Sequence, residues 1–343
     1  LRAVLKGERA AKRVHFAELG IDPEVMNYVL ERFLEEEPFR WSRDGSEVVY
    51  RKIIKFWYRM GYDYIRVGGG VDFPLITRME AEDTAQLSRG TRNWVDEGVG
   101  VVSSWEKFEE YPWPKPEDMV FSHYEFVAKN LPDGMKMMIC PSSGVFEVAS
   151  ELLGLEGMSY LIHDDPNLVE AVFNKVGKVI YEFYRNLVDL EGVGGFFQGD
   201  DLGYKTSTII SPALLRKLVL PWHRKLAALA HSYGGMYWLH SCGNLTEIDD
   251  VKIDALHSFQ DTIIPVHEFK ERSGERVAAL GGIDVDILCR ASETGLRSYV
   301  RTALEKCMPY RYALGSGNTV ANYVPVRNYL IMMDEGARWF GSP

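Results

Sequence analysis

The stretch Gly235-Met-Tyr-Trp-Leu-His-Ser-Cys-Gly-Asn244 decides the fold, because a short apolar run ends there in a cluster of polar residues. Short apolar runs bounded by glycine are typical of strands buried in a parallel sheet. Since side chains alternate along a strand, His240 and Cys242 leave it on the same side. An imidazole and a thiol in this arrangement can bind a soft divalent metal, although two such residues are more often a packed histidine and a buried free cysteine.

Seven further apolar runs occur along the chain, and amphipathic helical stretches separate most of them. The eight predicted strands are Val14–Glu18, Tyr64–Val67, Met135–Cys140, Gly192–Gln198, Met236–Cys242, Ile253–Phe259, Val277–Leu280 and Arg311–Leu314. Helices are predicted at Pro23–Leu34 and Ser46–Met60, and the pairs Asp165-Pro166 and Ser211-Pro212 each open another. Alternating strands and helices predict a parallel α/β sheet, and eight strands predict a (β/α)8 TIM-type barrel with N-terminal helices.

One stretch interrupts this alternation. Residues 71–132 carry little periodicity and include a segment rich in Trp, Pro and acidic residues, Trp105 to Asp118. Long loops in compact domains are commonly lids or binding loops. We therefore expect residues 1–343 to form a single domain in which residues 71–132 are an insertion over the barrel mouth.

The composition excludes several classes of protein. A formal net charge of −10 and the absence of a Lys/Arg block argue against a nucleic-acid surface. No apolar window is long enough to span a membrane, and the N-terminal segment lacks the apolar core of a signal peptide. The four cysteines show no C-x-x-C spacing. These features predict a reduced, cytoplasmic protein that acts on a small-molecule substrate.

Polar residues follow most of the predicted strands, at the end of a TIM barrel where catalytic residues lie. We expect these residues to converge on one cavity: Glu18, Asp72, Cys140, Asp200, Asp201, His240, Cys242, His257, Gln260, Asp284 and Asn318. Asp200 and Asp201 are adjacent, so their side chains point to opposite sides. One is expected to face the cavity as an acid, a base or a substrate ligand, and the other to bind backbone N–H groups.

Several segments, taken together and in order, resemble the uroporphyrinogen decarboxylase superfamily. They are Leu5-Lys-Gly-Glu-Arg9 with Arg13-Val14, Gly199-Asp-Asp-Leu-Gly203 with Ile210-Ser-Pro212, His240-Ser-Cys-Gly-Asn244, Gly281-Gly-Ile-Asp284, and Val324-Pro325 with Asn328. The resemblance implies a (β/α)8 barrel with a deep cleft at the strand ends. The activities it implies are decarboxylation of tetrapyrrole acetate arms and zinc-dependent methyl transfer to or from a corrinoid.

Within that superfamily, the chain resembles the corrinoid-dependent methyltransferase-like branch more than true uroporphyrinogen decarboxylase. Its early region reads Pro38-Phe-Arg-Trp-Ser-Arg-Asp44 and lacks the Arg-Gln-Ala-Gly-Arg pattern that grips porphyrin carboxylates in the decarboxylases. The branch implies zinc on His240 and Cys242 and a corrinoid protein as partner. Among the residues at the strand ends, we expect Asp200, Asp201, His240 and Asp284 to act in catalysis, and Asp72, Cys140, His257, Gln260 and Asn318 to bind substrate.

The third thiol that the branch places near the last strand does not stand in this chain, where Gly315-Ser-Gly-Asn318 occupies that position. Neutral oxygen donors are weaker zinc ligands than thiolate. Two alternatives therefore stay open beside the zinc methyltransferase: a carboxy-lyase acting without metal, and a barrel that binds a tetrapyrrole or corrinoid without turning it over. A homodimer is also open.

Overall fold

Parallel strands form the wall of a barrel in the computed structural model, which describes residues 1–76, 78–96, 98, 100–246 and 252–341. The strands in chain order are β1 Tyr64–Gly68, β2 Arg78–Glu82, β3 Thr91–Val95, β4 Lys136–Cys140, β5 Val193–Gly199, β6 Met236–His240, β7 Ala255–His257, β8 Ala278–Leu280 and β9 Tyr312–Ala313. β2 and β3 form a separate antiparallel hairpin. The other seven follow one another in the order β1-β4-β5-β6-β7-β8-β9, each parallel to its neighbour. The predicted TIM-type α/β architecture is confirmed.

Helices connect these strands. They are α1 Arg2–Leu5, α2 Pro23–Phe33, α3 Ser46–Arg59, α4 Trp105–Glu110, α5 Ser122–Asn130, α6 Val145–Leu153, α7 Leu155–Asp164, α8 Pro166–Arg185, α9 Pro212–Leu218, α10 Leu220–Ser232, α11 Val266–Ser273, α12 Val285–Arg290, α13 Glu293–Cys307 and α14 Val326–Arg338. The two predicted Asp/Ser-then-Pro starts are helix N-termini, where Asp165 and Ser211 accept hydrogen bonds from Leu168 N and Leu214 N. Among the described residues, no helix is both long and apolar enough to cross a membrane.

Aromatic side chains fill the barrel interior below its mouth. The rings of Tyr64, Phe197 and Trp238 meet edge to face, with centroids 5.0 Å apart for Tyr64 and Trp238 and 5.4 Å apart for Phe197 and Trp238. Two residues further along β1 and β6, on the same side, stand Arg66 and His240. The aromatic layer thus forms the floor on which the polar residues of the mouth rest.

The barrel closes less completely than eight full strands would allow. In the predicted strand Val14–Glu18 only Phe16 pairs as a strand residue, in a single parallel bridge with Leu314. Toward β1, the described residues show no backbone pairing, and the Tyr64 hydroxyl instead donates to Glu18 O (2.6 Å) and accepts from Glu18 N (2.9 Å). The Tyr64 side chain therefore takes the place of the backbone hydrogen bonds that were expected between residues 14–18 and β1. We call this gap between residues 14–18 and β1 the seam.

The stretch 71–132 holds more regular structure than its sequence predicts. It contains the β2–β3 hairpin, α4, a 3₁₀ turn at Pro116–Asp118 and α5. The hairpin region is tied to the loop after the last strand, because Asn322 Nδ2 donates to Asp83 Oδ2 (2.7 Å). At its other side Val102 N bonds Leu152 O (2.9 Å) at the end of α6. The stretch is therefore hydrogen-bonded both to the loop after β9 and to the end of α6.

Candidate active site

A cavity of about 490 Å³ opens at the carboxyl ends of β1, β4, β5 and β6. Four of the residues expected at strand ends line it: Asp72, Cys140, Asp201 and His240. We call it the mouth cavity. A volume of several hundred Å³ with a few converging polar groups is typical of small-molecule sites.

Three side chains converge as a candidate metal centre, of which Asp201 and His240 line the mouth cavity and Cys242 lies beside them. One ligand atom each from Asp201, His240 and Cys242 lies within 4.8 Å of the others. His240 Nε2 is 3.5 Å from Cys242 Sγ and 3.6 Å from Asp201 Oδ1. A tetrahedral zinc ion with ordinary Zn–N, Zn–O and Zn–S bonds holds its ligand atoms about 3.3–3.6 Å apart. The two measured separations match the edges of such a site.

Two glycines allow this convergence. Gly243 has a φ of +89°, and a Cβ on it would lie 2.1 Å from Gly203 C. The loops after β5 and β6 therefore touch backbone to backbone, and Gly203 N donates to Cys242 O (3.1 Å). The same approach lets Cys242 N donate to Asp201 Oδ1 (2.8 Å). Asp201, which was not predicted as a metal ligand from the sequence, therefore joins His240 and Cys242 in the candidate metal centre.

The protonation states suit a site that receives a cation. Burial raises the pKa of the Cys242 thiol to about 12, with the Asp201 carboxylate adding to the shift. Burial likewise raises the pKa of Asp201. Burial is the main cause of both shifts, and a divalent cation bound between the two groups would reverse them. A donor set of one imidazole, one thiolate and one carboxylate would leave a fourth tetrahedral position free, as catalytic zinc sites do.

His257 orients the metal-facing histidine from behind. Nδ1 of His240 lies 2.8 Å from Nδ1 of His257. Burial lowers the pKa of His257 to about 3, and burial followed by His257 and Arg66 lowers the pKa of His240 well below 6.5. Both rings are therefore neutral at pH 7. With His240 donating from Nδ1, its Nε2 carries a lone pair directed at Asp201 and Cys242.

Two donors surround the Cys242 sulfur. Asn318 Nδ2 lies 3.3 Å and Ser258 Oγ 3.5 Å from Sγ. Asn318 stands in the segment where the resemblance placed a further thiol. Its amide nitrogen faces the sulfur, so it acts as a hydrogen-bond donor in this geometry, which favours the thiolate.

Asp200 faces away from the mouth cavity. Its carboxylate is fully buried, accepting from Phe146 N (3.1 Å) and Glu147 N (3.0 Å) at the start of α6, and it lies 2.9 Å from His223 Nε2. The expected division of the Asp200-Asp201 pair is therefore found, with Asp201 on the cavity side.

Two other predicted site residues lie outside this constellation. The Asp284 carboxylate caps α12 by accepting from Asp286 N and Ile287 N, and it also accepts from Asp261 N (2.9 Å). Gln260 pairs through its backbone with Ile264. Neither residue is among those lining the mouth cavity.

Four charged residues that line the mouth cavity were not predicted from the sequence: Arg66, Arg78, Glu147 and Glu151. Arg66 lies within β1, and Glu147 lies in the first turn of α6. Burial, followed by the charges of Asp200 and Asp201, raises the pKa of Glu147 to about 8. A charged residue inside an otherwise apolar strand was a signal for Arg66. Nothing comparable marked Glu147.

Comparisons with known proteins identify the family of the chain. The uroporphyrinogen decarboxylase (URO-D) family model matches residues 99–339. The methylated-thiol–coenzyme M methyltransferase of Methanosarcina mazei is 27% identical over 208 residues, and the match spans about half of each protein, 55% of this chain and 55% of the relative.

Solved structures share the fold at low identity. A methyltransferase from Methanosarcina mazei superposes with a TM-score of 0.71 at 16% identity, covering 99% of this chain and 97% of that one. A B12-independent methionine synthase from Shewanella sp. W3-18-1 gives a TM-score of 0.50 at 14% identity, over 87% of this chain and 90% of that one. The predicted superfamily is confirmed: the chain belongs to the uroporphyrinogen decarboxylase family.

Proposed function

We propose that this protein is a zinc-dependent methyltransferase that moves a methyl group between a small methylated or methoxylated substrate and a corrinoid protein. The observation that carries the proposal is the convergence of Asp201, His240 and Cys242, two of which line a substrate-sized cavity. The curated relative supports it, since that protein is named for methyl transfer involving a methylated thiol.

Each residue of the site has a defined task in this proposal. Asp201, His240 and Cys242 would hold zinc, which when bound supplies a Lewis acid that lowers the pKa of a coordinated thiol or polarises an ether oxygen. Asn318 and Ser258 donate toward the Cys242 sulfur and hold its negative charge. His257 keeps His240 in the ligating tautomer.

Glu147 is suited to proton transfer in the same cavity. With a pKa of about 8, its carboxyl group is mostly protonated at neutral pH. A protonated acid beside the substrate can give its proton to the alkoxide or thiolate that remains once the methyl group has left. Asp72 and Cys140 line the cavity further out and complete the proposed substrate surface.

Metal analysis of protein purified without chelator tests the proposal. We expect one zinc per chain in the natural protein, its loss in Cys242→Ser, and retention in Cys289→Ser, whose thiol lies on α12 away from the three ligands. Zinc-loaded protein supplied with a methylated thiol or a methoxylated compound should transfer the methyl group to Co(I) cobalamin and release the thiol or alcohol, followed by the absorbance change of the cobalamin. Folded protein without metal would contradict the zinc site and favour the carboxy-lyase or the non-catalytic binder.

A further inference from the structure

A second cavity, of about 540 Å³, adjoins the mouth cavity at the seam. Residues from the loop after Glu18, from α2, α3 and β1, and from the start of α5 line it. Leu19, Arg66 and Gly68 line both cavities, so the two spaces meet where Arg66 stands. We call the second space the side cavity.

Aromatic rings dominate the side cavity. Trp41 packs edge-on against Tyr50, with centroids 5.4 Å apart, and Tyr50 stacks on His123 at 5.6 Å with an interplanar angle of 18°. Trp57 adds a further ring to the wall. Burial lowers the pKa of His123, which keeps that ring neutral. Flat rings arranged in this way favour a flat apolar group as occupant.

Arg66 supplies the charge of this space. It is the one Lys, Arg, Asp or Glu side chain among the described residues lining the side cavity. Its Nε donates to Phe197 O (3.2 Å) and its Nη2 lies 2.7 Å from Cys140 Sγ. No carboxylate among the described residues forms an ion pair with it, and the remaining N–H groups of its guanidinium are left for a ligand. A guanidinium in this position fits a carboxylate or a similar planar anion.

We propose that the substrate is a monoanion that bears an aromatic group on one side of its acid and the methylated heteroatom on the other. The ring occupies the side cavity, the anion binds Arg66 at the junction, and the methylated atom lies in the mouth cavity, which Asp201 and His240 line. This assignment deepens the proposed methyl transfer and rests on it for the reacting end. The recognition of ring and anion depends only on Arg66 and the side cavity.

The order of groups along the substrate selects the probe. In α-methoxyphenylacetate one carbon carries the ring, the carboxylate and the methoxy group, so the carboxylate lies between the other two groups, as the proposal states. Its primary amide keeps the ring and removes the charge, whereas methoxyacetate keeps the charge and removes the ring. Binding of all three is measured by calorimetry and by quenching of tryptophan fluorescence, since Trp41 and Trp57 line the side cavity.

Three variants separate charge from shape. In Arg66→Gln we expect α-methoxyphenylacetate to bind about 10- to 100-fold more weakly, the range for losing a charged hydrogen bond, while the amide is unaffected. Arg66→Lys should recover part of the loss. Trp41→Ala, at a half-exposed position, should weaken the acid and the amide but not methoxyacetate. Arg59→Gln, an exposed substitution on α3 outside both cavities, is the matched control.

Some outcomes would overturn the assignment. One is an unchanged affinity for α-methoxyphenylacetate in folded Arg66→Gln and Arg66→Lys. Others are equal binding of the acid and its amide, or binding of methoxyacetate as tight as that of α-methoxyphenylacetate. The last is an absence of saturable binding of α-methoxyphenylacetate at millimolar concentration. The same titration in Cys242→Ser keeps this test apart from the metal site. Binding retained there without zinc supports the side cavity alone, and zinc present without aryl-acid binding rejects only the substrate class.

Discussion

Asp200 and Asp201 are neighbours in sequence and opposites in environment. Asp200 has no exposed surface and satisfies its carboxylate with two backbone N–H groups and His223. The Asp201 side chain is 38% exposed and faces His240, with which it forms the candidate metal centre. The carboxylate of Asp200 therefore stabilises the fold, whereas the carboxylate of Asp201 belongs to the candidate metal centre.

We expect Asp200→Asn to destabilise the protein by about 3–5 kcal/mol, because a buried carboxylate would lose its charge against His223 and an amide N–H would face backbone donors. Asp201→Asn should change stability little, since the amide oxygen still accepts from Cys242 N. It should instead weaken zinc binding, because a neutral oxygen is a poorer ligand. Urea unfolding and zinc titration of both variants measure the difference. Equal loss of stability in the two would contradict this assignment.

Strand alternation predicted that the two aspartates diverge, but it could not say which one faces the cavity. That choice depends on where α6 presents its first N–H groups, and Gly144 permits the approach: a Cβ there would lie 2.1 Å from Asp200 Cγ. Such helix-to-strand packing leaves no periodic trace in sequence. For the same reason Glu147 was not anticipated, whereas His240, Cys242 and Asp72 followed from their positions at strand ends.

At the scale of elements, Asp284 shows how a strand-end carboxylate becomes a helix cap. Its position after β8 satisfied the rule for a catalytic residue, yet its Oδ1 accepts from Asp286 N (2.8 Å) and Ile287 N (3.3 Å) at the start of α12. The position of a carboxylate after a strand cannot distinguish a catalytic residue from a helix cap here, because α12 begins at Val285, directly after Asp284.

Asp284→Ala is expected to lower the free energy of unfolding by about 1–2 kcal/mol through loss of the cap. Zinc content should not change, since the carboxylate is not one of the three metal donors. Asp284→Asn, which can still cap, serves as the control and should retain most of the stability. Loss of zinc or of methyl transfer in folded Asp284→Ala would instead return this residue to the site.

At the scale of the whole molecule, Glu18 joins the two ends of the barrel wall. Its carboxyl group is fully buried and accepts from Ser316 N (2.9 Å) and from Ser316 Oγ. Burial raises its pKa from 4.5 to about 8, against the effect of both bonds from Ser316. Tyr62, Tyr64 and Tyr329 lie around it with pKa values raised well above 10 by burial, so they stay neutral across this range.

Between about pH 4.5 and pH 8 the folded protein therefore holds a proton at Glu18 that the unfolded chain releases. The stabilisation that the raised pKa of Glu18 gives to the folded protein is fully present below about pH 4.5 and is lost as pH rises through about 8. It amounts to about 1.4 kcal/mol for each unit by which the pKa is raised. Glu18→Gln cannot ionise, so its stability relative to the natural protein should rise with pH. Urea unfolding at about pH 5 and about pH 8 tests this. A constant difference between the two proteins would contradict it.

The order of strands and helices could be predicted from sequence, because it is local patterning repeated along the chain. The incomplete first strand could not. Whether residues 14–18 pair with β1 is decided by a contact across 46 residues between Glu18 and the Tyr64 hydroxyl. The insertion was likewise anticipated as a long segment, but its hairpin is fixed by distant partners such as Asn322.

The seam also bears on the order of events in turnover. A barrel with a continuous wall has a single entrance, and a protein partner docked over it would trap or exclude the small substrate. Here the side cavity meets the mouth cavity at Leu19, Arg66 and Gly68, which gives the mouth cavity a second neighbouring space on the side of the seam. For the proposed methyl transfer, this second space would let donor and acceptor be bound together, so that the reaction would follow a sequential kinetic scheme through a ternary complex.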